Sequence, residues 1–184
     1  KNFILATGYK SNVIKKYFSN FKRNGKEFGA SIAKKKCKIT IIDTGIKTMT
    51  GGRLKKVRKF IKNNEDFMFT YGDGISNVKL DKLVKFHKVN KKLITVTAVR
   101  PPARFGEIIL KKNKVITFKE KPQVTNGWIN GGFFVANTNF LKFIRRDSEI
   151  LERYPLEKVT KLRQLSAYKH FGFWKCMDVK RDRD

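Results

Sequence analysis

The sequence predicts an α/β fold, with a mostly parallel sheet covered by helices and a small β insertion. Short apolar runs rich in β-branched residues alternate with stretches whose apolar residues recur at helical spacing. After Pro101 and Pro102 the pattern changes to shorter strands. With 184 residues, of which 40% are apolar, the chain is long enough to form one domain with a buried core, residues 1–184.

The first half of the chain alternates regularly between the two kinds of segment. The predicted strands are 3–7, 38–43, 66–71 and 93–99, and the predicted helices are 12–21, 53–62 and 79–89. The run 66–71 is uninterrupted, which predicts a buried strand. It leads into the turn Gly72–Gly74, and the carboxyl ends of strands are where open α/β sheets place ligands.

The second half begins with a predicted hairpin, 106–110 and 114–119, that turns at Lys112 and Asn113. A strand at 130–136, helices at 138–145 and 148–162, and a last strand at 165–170 follow. The chain opens without methionine on residues that already resemble core, and it stops in a charged segment. We therefore expect the domain to be incomplete at the amino terminus and at the carboxyl terminus as well.

Composition restricts the possible functions. The net charge of +28 suits nucleic acid, but lysine outnumbers arginine and no basic arm stands out, so a generally basic surface that attracts small anions is the alternative we favour. Cys37 and Cys176 are far apart and fit two reduced thiols. No apolar run is long enough for a membrane span, so we expect a soluble, cytoplasmic protein.

Residues 48–54 offer hydroxyls, two glycines and an arginine at the start of a predicted helix. Amides at a helix start carry partial positive charge, and Gly51 and Gly52 would let a nucleotide approach the backbone. Thr48 and Arg53 would add a hydroxyl and a forked contact. The alternative is an ordinary threonine cap followed by glycine.

Two aspartates follow predicted strands, in an otherwise very basic chain. Asp73 lies between Gly72 and Gly74, and Asp178 comes after the last strand. Carboxylates suit Mg²⁺, which prefers hard oxygen ligands and often bridges to substrate phosphates. The alternative for Asp73 is a plain Asp-Gly turn.

A third candidate, Glu120 with Lys121, ends the predicted strand 114–119 next to Pro122. Glutamate can accept hydrogen bonds from sugar hydroxyls, and lysine can hold a monophosphate. Gly106 and Gly131 would let a sugar lie close to the backbone. A solvated, charged strand end is the alternative.

Taken in order, these motifs resemble the sugar-1-phosphate nucleotidyltransferase family over essentially the whole chain. The resemblance rests on residues 50–55, 71–74, 104–106, 120–122, 129–134, 172–174 and 177–178. Residues 129–134 (INGGFF) and the segment 172–178 point to the glucose-1-phosphate cytidylyltransferase branch. The resemblance implies a Rossmann-like, GT-A-like fold and an enzyme that forms CDP-glucose and pyrophosphate by Mg²⁺-assisted in-line attack.

The resemblance also implies a role for each matching position. It assigns Asp73 and Asp178 to Mg²⁺ and, with Lys121, to catalysis; Thr48, Gly51, Gly52, Arg53 and Gly72 to CTP; and Gly106, Glu120, Lys121, Asn130 and Gly131 to glucose 1-phosphate. It implies no nucleic-acid or membrane partner, and a homo-oligomer when the protein is complete. His87 and His170 receive no role.

The sequence departs from the family pattern in a few places. The family's glycine-rich, arginine-containing phosphate loop does not precede Lys1, so we expect this piece alone to be catalytically feeble. Phe171 stands where the family usually has proline, and Val179 where it has threonine. A related transferase that uses dTTP or UTP, and a basic nucleic-acid-binding module, remain as alternatives.

Overall fold

The computed structural model describes residues 2–19, 23–24, 27–32, 35–101, 107–119 and 127–183. The chain forms two compact units. Unit 1 comprises Lys1–Glu65 and Thr138–Leu162, and unit 2 comprises Asp66–Asn137 and Arg163–Asp184. The expectation of a single domain stays a prediction, because a compact unit need not fold by itself.

The helices and strands follow one another in this order: β1 (Asn2–Thr7), α1 (Ser11–Phe18), β2 (Arg23–Asn24), β3 (Glu27–Ile32), β4 (Lys35–Asp43), α2 (Thr50–Val57), a 3₁₀ turn (Arg58–Phe60), β5 (Asp66–Thr70), β6 (Gly74–Ser76), α3 (Leu80–Asn90), β7 (Ile94–Val99), β8 (Glu107–Lys111), β9 (Lys114–Lys119), β10 (Ile129–Asn137), a 3₁₀ helix (Thr138–Phe143), α4 (Tyr154–Lys161), β11 (Leu165–Lys169), β12 (Trp174–Cys176) and α5 (Lys180–Arg183). Among these described segments, no helix is both long and apolar enough to cross a membrane.

Unit 1 is built on a sheet with the strand order β1-β4-β3-β2. Strands β1 and β4 are parallel, whereas β3 is antiparallel to both of its neighbours. The core of this unit contains Ile39 and Ile41 of β4, Val57 of α2, Phe140 of the 3₁₀ helix and Val159 of α4, all of them buried. In α4 the two buried residues, Pro155 and Val159, are four positions apart and so lie on one face, as an amphipathic helix requires.

Unit 2 contains a mixed sheet with the order β11-β7-β10-β5. Strand β10 is antiparallel to β5 and β7, and β11 is parallel to β7. Helix α3 packs on this sheet through Leu83, which is fully buried together with Ile94 and Phe134. Two further pairs complete the unit: the β8–β9 hairpin and the short antiparallel ribbon of β6 and β12.

Several sequence predictions are confirmed. The α/β class holds, and the hairpin turns where expected, with Lys112 in the left-handed conformation (φ 53°). Among the described strands, two pairings are parallel and the others antiparallel, so the sheets are more mixed than the alternating pattern indicates.

Other predictions are corrected. Residues 66–71 were expected to be a buried strand, but β5 lies at the edge of its sheet and alternates between exposed and half-buried residues. The predicted helix 148–162 begins only at Tyr154, where Pro155 occupies the first turn, a position that proline favours. Strands β2, β3, β6 and β12 were not predicted, because β2, β6 and β12 are too short to show a period and β3 (EFGASI) contains glycine and charge.

Candidate active site

The β6–β12 ribbon brings the two predicted metal ligands together. Asp73 immediately precedes β6, and Asp178 lies two residues beyond β12. Because the strands are antiparallel, with Cys176 opposite Gly74, the beginning of one strand meets the end of the other. The pairing continues past the ribbon, since the Met177 amide donates to the Asp73 carbonyl at 2.8 Å. Both aspartates are exposed, as a site open to substrate requires.

Cys176 is a third member of this cluster, which the sequence motifs do not indicate. One ligand atom from each of Asp73, Cys176 and Asp178 lies within 4.8 Å of the other two. The thiol donates to Asp178 Oδ1 at 3.1 Å. This hydrogen bond, aided by partial burial and by the charge of Asp73, raises the pKa of Cys176 to about 11, so the group is a neutral thiol near pH 7.

The loop after β12 is fixed by Asp182. Its carboxylate accepts hydrogen bonds from the amides of Asp178 and Val179, both at 3.2 Å. These bonds, the one from Val179 foremost, and the charge of Lys175 at 3.6 Å hold the pKa of Asp182 below its usual value. The backbone of Asp178 is thereby held in place, although Val179 replaces the threonine that the family usually has.

A bulge in β10 positions Asn130 and Gly131. Asn130 pairs with Ala98 of β7, but the next pairing joins Phe134 to Val96, so β10 carries two extra residues in between. The Asn130 side chain accepts from the Gly132 amide at 2.8 Å and donates to Tyr71 Oη at 3.2 Å. The structure therefore places both predicted sugar-phosphate residues in an irregular, internally bonded stretch of backbone.

The predicted nucleotide segment lies in unit 1, and its glycines pack against the backbone of 147–151. The Gly51 and Gly52 amides donate to the Glu149 carbonyl at 3.0 and 3.3 Å. A Cβ at Gly51 would lie 2.8 Å from that oxygen, and one at Gly52 would overlap the Asp147 backbone. These amides are not the outward-facing donors expected from the sequence, although a role of the two glycines toward CTP stays a prediction.

Thr48 and Arg53 also make contacts within unit 1. Thr48 is buried, and its hydroxyl donates to the Thr44 carbonyl at 2.5 Å. The Arg53 guanidinium donates to the Thr7 carbonyl at 3.0 Å and to Thr44 Oγ1 at 2.5 Å. A Cβ on Gly8 would come within 2.6 Å of this guanidinium, so the glycine leaves room for it. Arg53 therefore lies at the carboxyl end of the parallel pair β1–β4.

Of the remaining predicted site residues, the structure describes Gly72 but not Gly106, Glu120 or Lys121. Gly72 is exposed, and in the part of the chain that the structure describes no atom beyond its chain neighbours lies within 4 Å of the position that a Cβ would take. Gly106, Glu120 and Lys121 lie outside the described residues, so their roles stay predictions.

The two histidines, which the sequence motifs leave without a role, both lie within hydrogen-bond distance of hydroxyl side chains. His87 is buried, with Nδ1 2.7 Å from Thr95 Oγ1, which in turn lies 2.7 Å from Ser166 Oγ. Burial lowers the pKa of His87, and the charge of Asp66, 3.7 Å away, opposes that shift in part. His170 lies 3.2 Å from Ser76 Oγ, beside the β6–β12 ribbon.

Comparison with known proteins gives consistent findings. Residues 2–171 match the family model described as nucleotidyl transferase. The chain is 38% identical to the glucose-1-phosphate cytidylyltransferase of Salmonella typhimurium, in an alignment that covers all of this chain and 75% of that protein. It is 34% identical to the probable glucose-1-phosphate cytidylyltransferase of Bacillus subtilis, covering 96% of this chain and 73% of the relative.

The fold has solved counterparts. The crystal structure of HddC from Yersinia pseudotuberculosis superposes with a TM-score of 0.66 at 18% identity, covering 99% of this chain and 75% of that one. At this level of identity the likeness concerns the fold, and it agrees with the α/β class that the sequence predicts.

Proposed function

Since the chain belongs to the nucleotidyl transferase family and is a sugar-1-phosphate nucleotidyltransferase, we propose that it joins CTP to glucose 1-phosphate, giving CDP-glucose and pyrophosphate. The similarity to cytidylyltransferases extends over the whole chain, and it includes residues 129–134 and 172–178. The structural observation that carries the proposal is the meeting of Asp73 and Asp178 at the β6–β12 ribbon.

The donors at the ribbon fit Mg²⁺. Asp73 and Asp178 each offer a carboxylate oxygen, the type of ligand that Mg²⁺ prefers, and leave room for water and substrate phosphates. The Cys176 thiol donates its hydrogen to Asp178, so it orients a carboxylate, and the proposed ligand set is made of oxygen atoms. When bound, the ion would offset the negative charge on the phosphates.

The remaining roles follow from the family assignment. Asn130 and Gly131, in the β10 bulge, would bind glucose 1-phosphate together with Gly106, Glu120 and Lys121. The Lys121 ammonium would pair with the phosphate, and the Glu120 carboxylate would accept from sugar hydroxyls. The residues proposed for CTP are Thr48, Gly51, Gly52, Arg53 and Gly72.

The chemistry is a nucleotidyl transfer. A phosphate oxygen of glucose 1-phosphate attacks the α-phosphorus of CTP in line, which forms a new P–O bond. The bond from that phosphorus to the bridging oxygen of pyrophosphate breaks, and pyrophosphate leaves with the electron pair. The step needs no covalent intermediate on the enzyme. A cytoplasmic location and a homo-oligomeric state stay predictions from the sequence.

The substrate assignment is tested by offering glucose 1-phosphate with each of the four ribonucleoside triphosphates and with dTTP, and measuring pyrophosphate release. We expect CTP to be preferred. A preference for dTTP or UTP would move the enzyme to a sister branch. Steeply salt-dependent binding to nucleic acid without turnover would favour the basic binding module instead.

The acidic pair is tested with Asp73→Asn, which keeps the shape of the side chain and removes its charge. We expect turnover to fall about 10²- to 10³-fold, the loss typical of removing one preorganised electrostatic contact. Mn²⁺ binding, followed by electron paramagnetic resonance, should weaken in parallel. Asp81→Asn, an exposed carboxylate in the first turn of α3, is the matched control and should leave both measurements unchanged. Wild-type turnover in Asp73→Asn would remove this residue from the site.

A further inference from the structure

Trp174 links the ribbon that carries the acidic pair to the β10 bulge. Its backbone pairs with Ser76 in the β6–β12 ribbon, four residues before Asp178. Its indole Nε1–H donates to the Gly131 carbonyl at 2.7 Å. A partly buried indole N–H needs an acceptor, and the length of this bond lies within the normal range for N–H···O.

The backbone that receives this bond has little freedom on its other side. Gly131 is buried, and a Cβ there would lie 2.7 Å from the Val99 side chain and 3.0 Å from the Thr97 carbonyl. Because a bulge interrupts the regular ladder, its carbonyls depend on partners outside the strand pair. Trp174 supplies one such partner.

Tyr71 holds the bulge from a second position. Gly132 has a φ of 77°, and its Cα faces the Tyr71 ring so closely that a Cβ would lie 2.8 Å from Cδ2. The Tyr71 hydroxyl accepts from Asn130 at 3.2 Å. Tyr71 comes two residues before Asp73, so each half of the acidic pair has a neighbouring aromatic residue that contacts the bulge.

We infer that Trp174 is a positioning residue that fixes the Asn130–Gly131 bulge relative to Asp73 and Asp178, and so sets where glucose 1-phosphate is held. This inference rests on the proposed function, because it takes the bulge to be part of the sugar-phosphate site. The indole N–H is the essential group, and the hydrophobic ring alone would leave the Gly131 carbonyl without this donor.

Trp174→Phe tests the inference, since it keeps an aromatic ring and removes the donor. We expect the KM for glucose 1-phosphate and its Kd by calorimetry to rise about five- to tenfold, the range of one lost hydrogen bond, while the KM for CTP changes less than about twofold. Amide hydrogen exchange over 129–134 should become faster. Tyr168→Phe, which keeps the ring packed against Phe86 elsewhere in unit 2, is the control and should change none of these.

A second measurement uses the wild-type protein and so does not depend on the variant folding. The chain has two tryptophans, so its indole N–H groups give two NMR signals, and Trp128→Phe assigns them. The Trp174 signal should exchange slowly with solvent and shift when glucose 1-phosphate is added.

The outcomes separate the two proposals. Unchanged exchange over 129–134 in Trp174→Phe, or an indole signal of Trp174 that exchanges freely, would overturn the positioning role whatever the activity. A lower melting temperature with both KM values unchanged would also overturn it, since that describes a residue needed for stability alone. A third outcome would refute the proposed function alone. In that outcome the wild-type protein neither binds nor uses glucose 1-phosphate, but amide exchange over 129–134 is still faster in Trp174→Phe, so the link between Trp174 and the bulge is retained.

Discussion

Gly52→Ala should destabilise the protein, because the space that a methyl group needs at this position is already filled. The Asp147 backbone overlaps the position of the new Cβ, and the Gly52 amide donates to the Glu149 carbonyl at 3.3 Å. A flexible side chain could move aside, but here the obstacle is the main chain of the segment that also receives the Met49 and Gly51 amides. The start of α2 must therefore separate from residues 147–149.

The size of the effect follows from two opposing terms. Forcing an extra carbon into a packed interior costs about 1–3 kcal/mol, and contact with backbone places this site at the upper end. Alanine in a helix is about 1 kcal/mol more favourable than glycine, which offsets part of the cost. We expect a net loss of about 2 kcal/mol, which lowers Tm by about 4–8 °C in a chain of this size.

The measurement is the Tm of Gly52→Ala in thermal unfolding, with Gly74→Ala as the control variant. Among the described residues, apart from its own chain neighbours, none has an atom within 4 Å of the Cβ position of Gly74, so this variant should stay within about 0.5 kcal/mol of the wild type. An unchanged Tm in Gly52→Ala, together with weakened CTP binding, would refute the packing argument. It would mean that Gly52 is kept for the nucleotide, as the sequence alone suggested.

Two further predictions come from titrating groups. Burial puts the folded-state pKa of His87 below its unfolded value near 6.5, so the unfolded chain binds the proton more readily and the free energy of unfolding declines as pH falls below about 6.5. Urea unfolding at about pH 7.5 and about pH 5.5 should show this decline, and an equal decline in His87→Gln would contradict it. Cys176 in a Cys37→Ser background should be alkylated at about pH 8 more than tenfold more slowly than a free thiol, and Asp178→Asn should speed the reaction. Alkylation at the rate of a free cysteine would show that the hydrogen bond to Asp178 does not form.

The sequence predicted the elements whose period is long enough to be seen. Helix α3 and strand β7 each begin one residue later than predicted, and both have regular apolar spacing. Strands β6 and β12 have three residues each, which is too few for any periodic signal. Strand pairing is decided by contacts between distant segments, so the antiparallel placement of β10 between β5 and β7 could not be read from local pattern.

The sequence predicted only part of the candidate site, because local pattern does not show which distant segments meet. Asp73 and Asp178 could be chosen because carboxylates are rare in this basic chain, and the structure brings them together. Cys176 was missed because no histidine or other cysteine lies near it in the sequence, and its contact with Asp73 depends on the pairing of β6 with β12, which spacing along the chain does not show. Gly51 and Gly52 were noticed correctly as unusual, but a glycine signals close approach without saying whether the approaching group is a ligand or the protein's own backbone.

The ribbon of β6 and β12 has a consequence for how the protein acquires activity. Its two strands come from distant parts of the chain, and the sheet strands β7, β10 and β11 lie between them in sequence. Contacts between segments so far apart in sequence form slowly, because closing the long intervening loop costs conformational entropy before the contact can stabilise the fold. The proposed Mg²⁺ site should thus form late during refolding, after the helical signal has recovered, and binding of a paramagnetic ion such as Mn²⁺ during refolding would report when the ribbon closes.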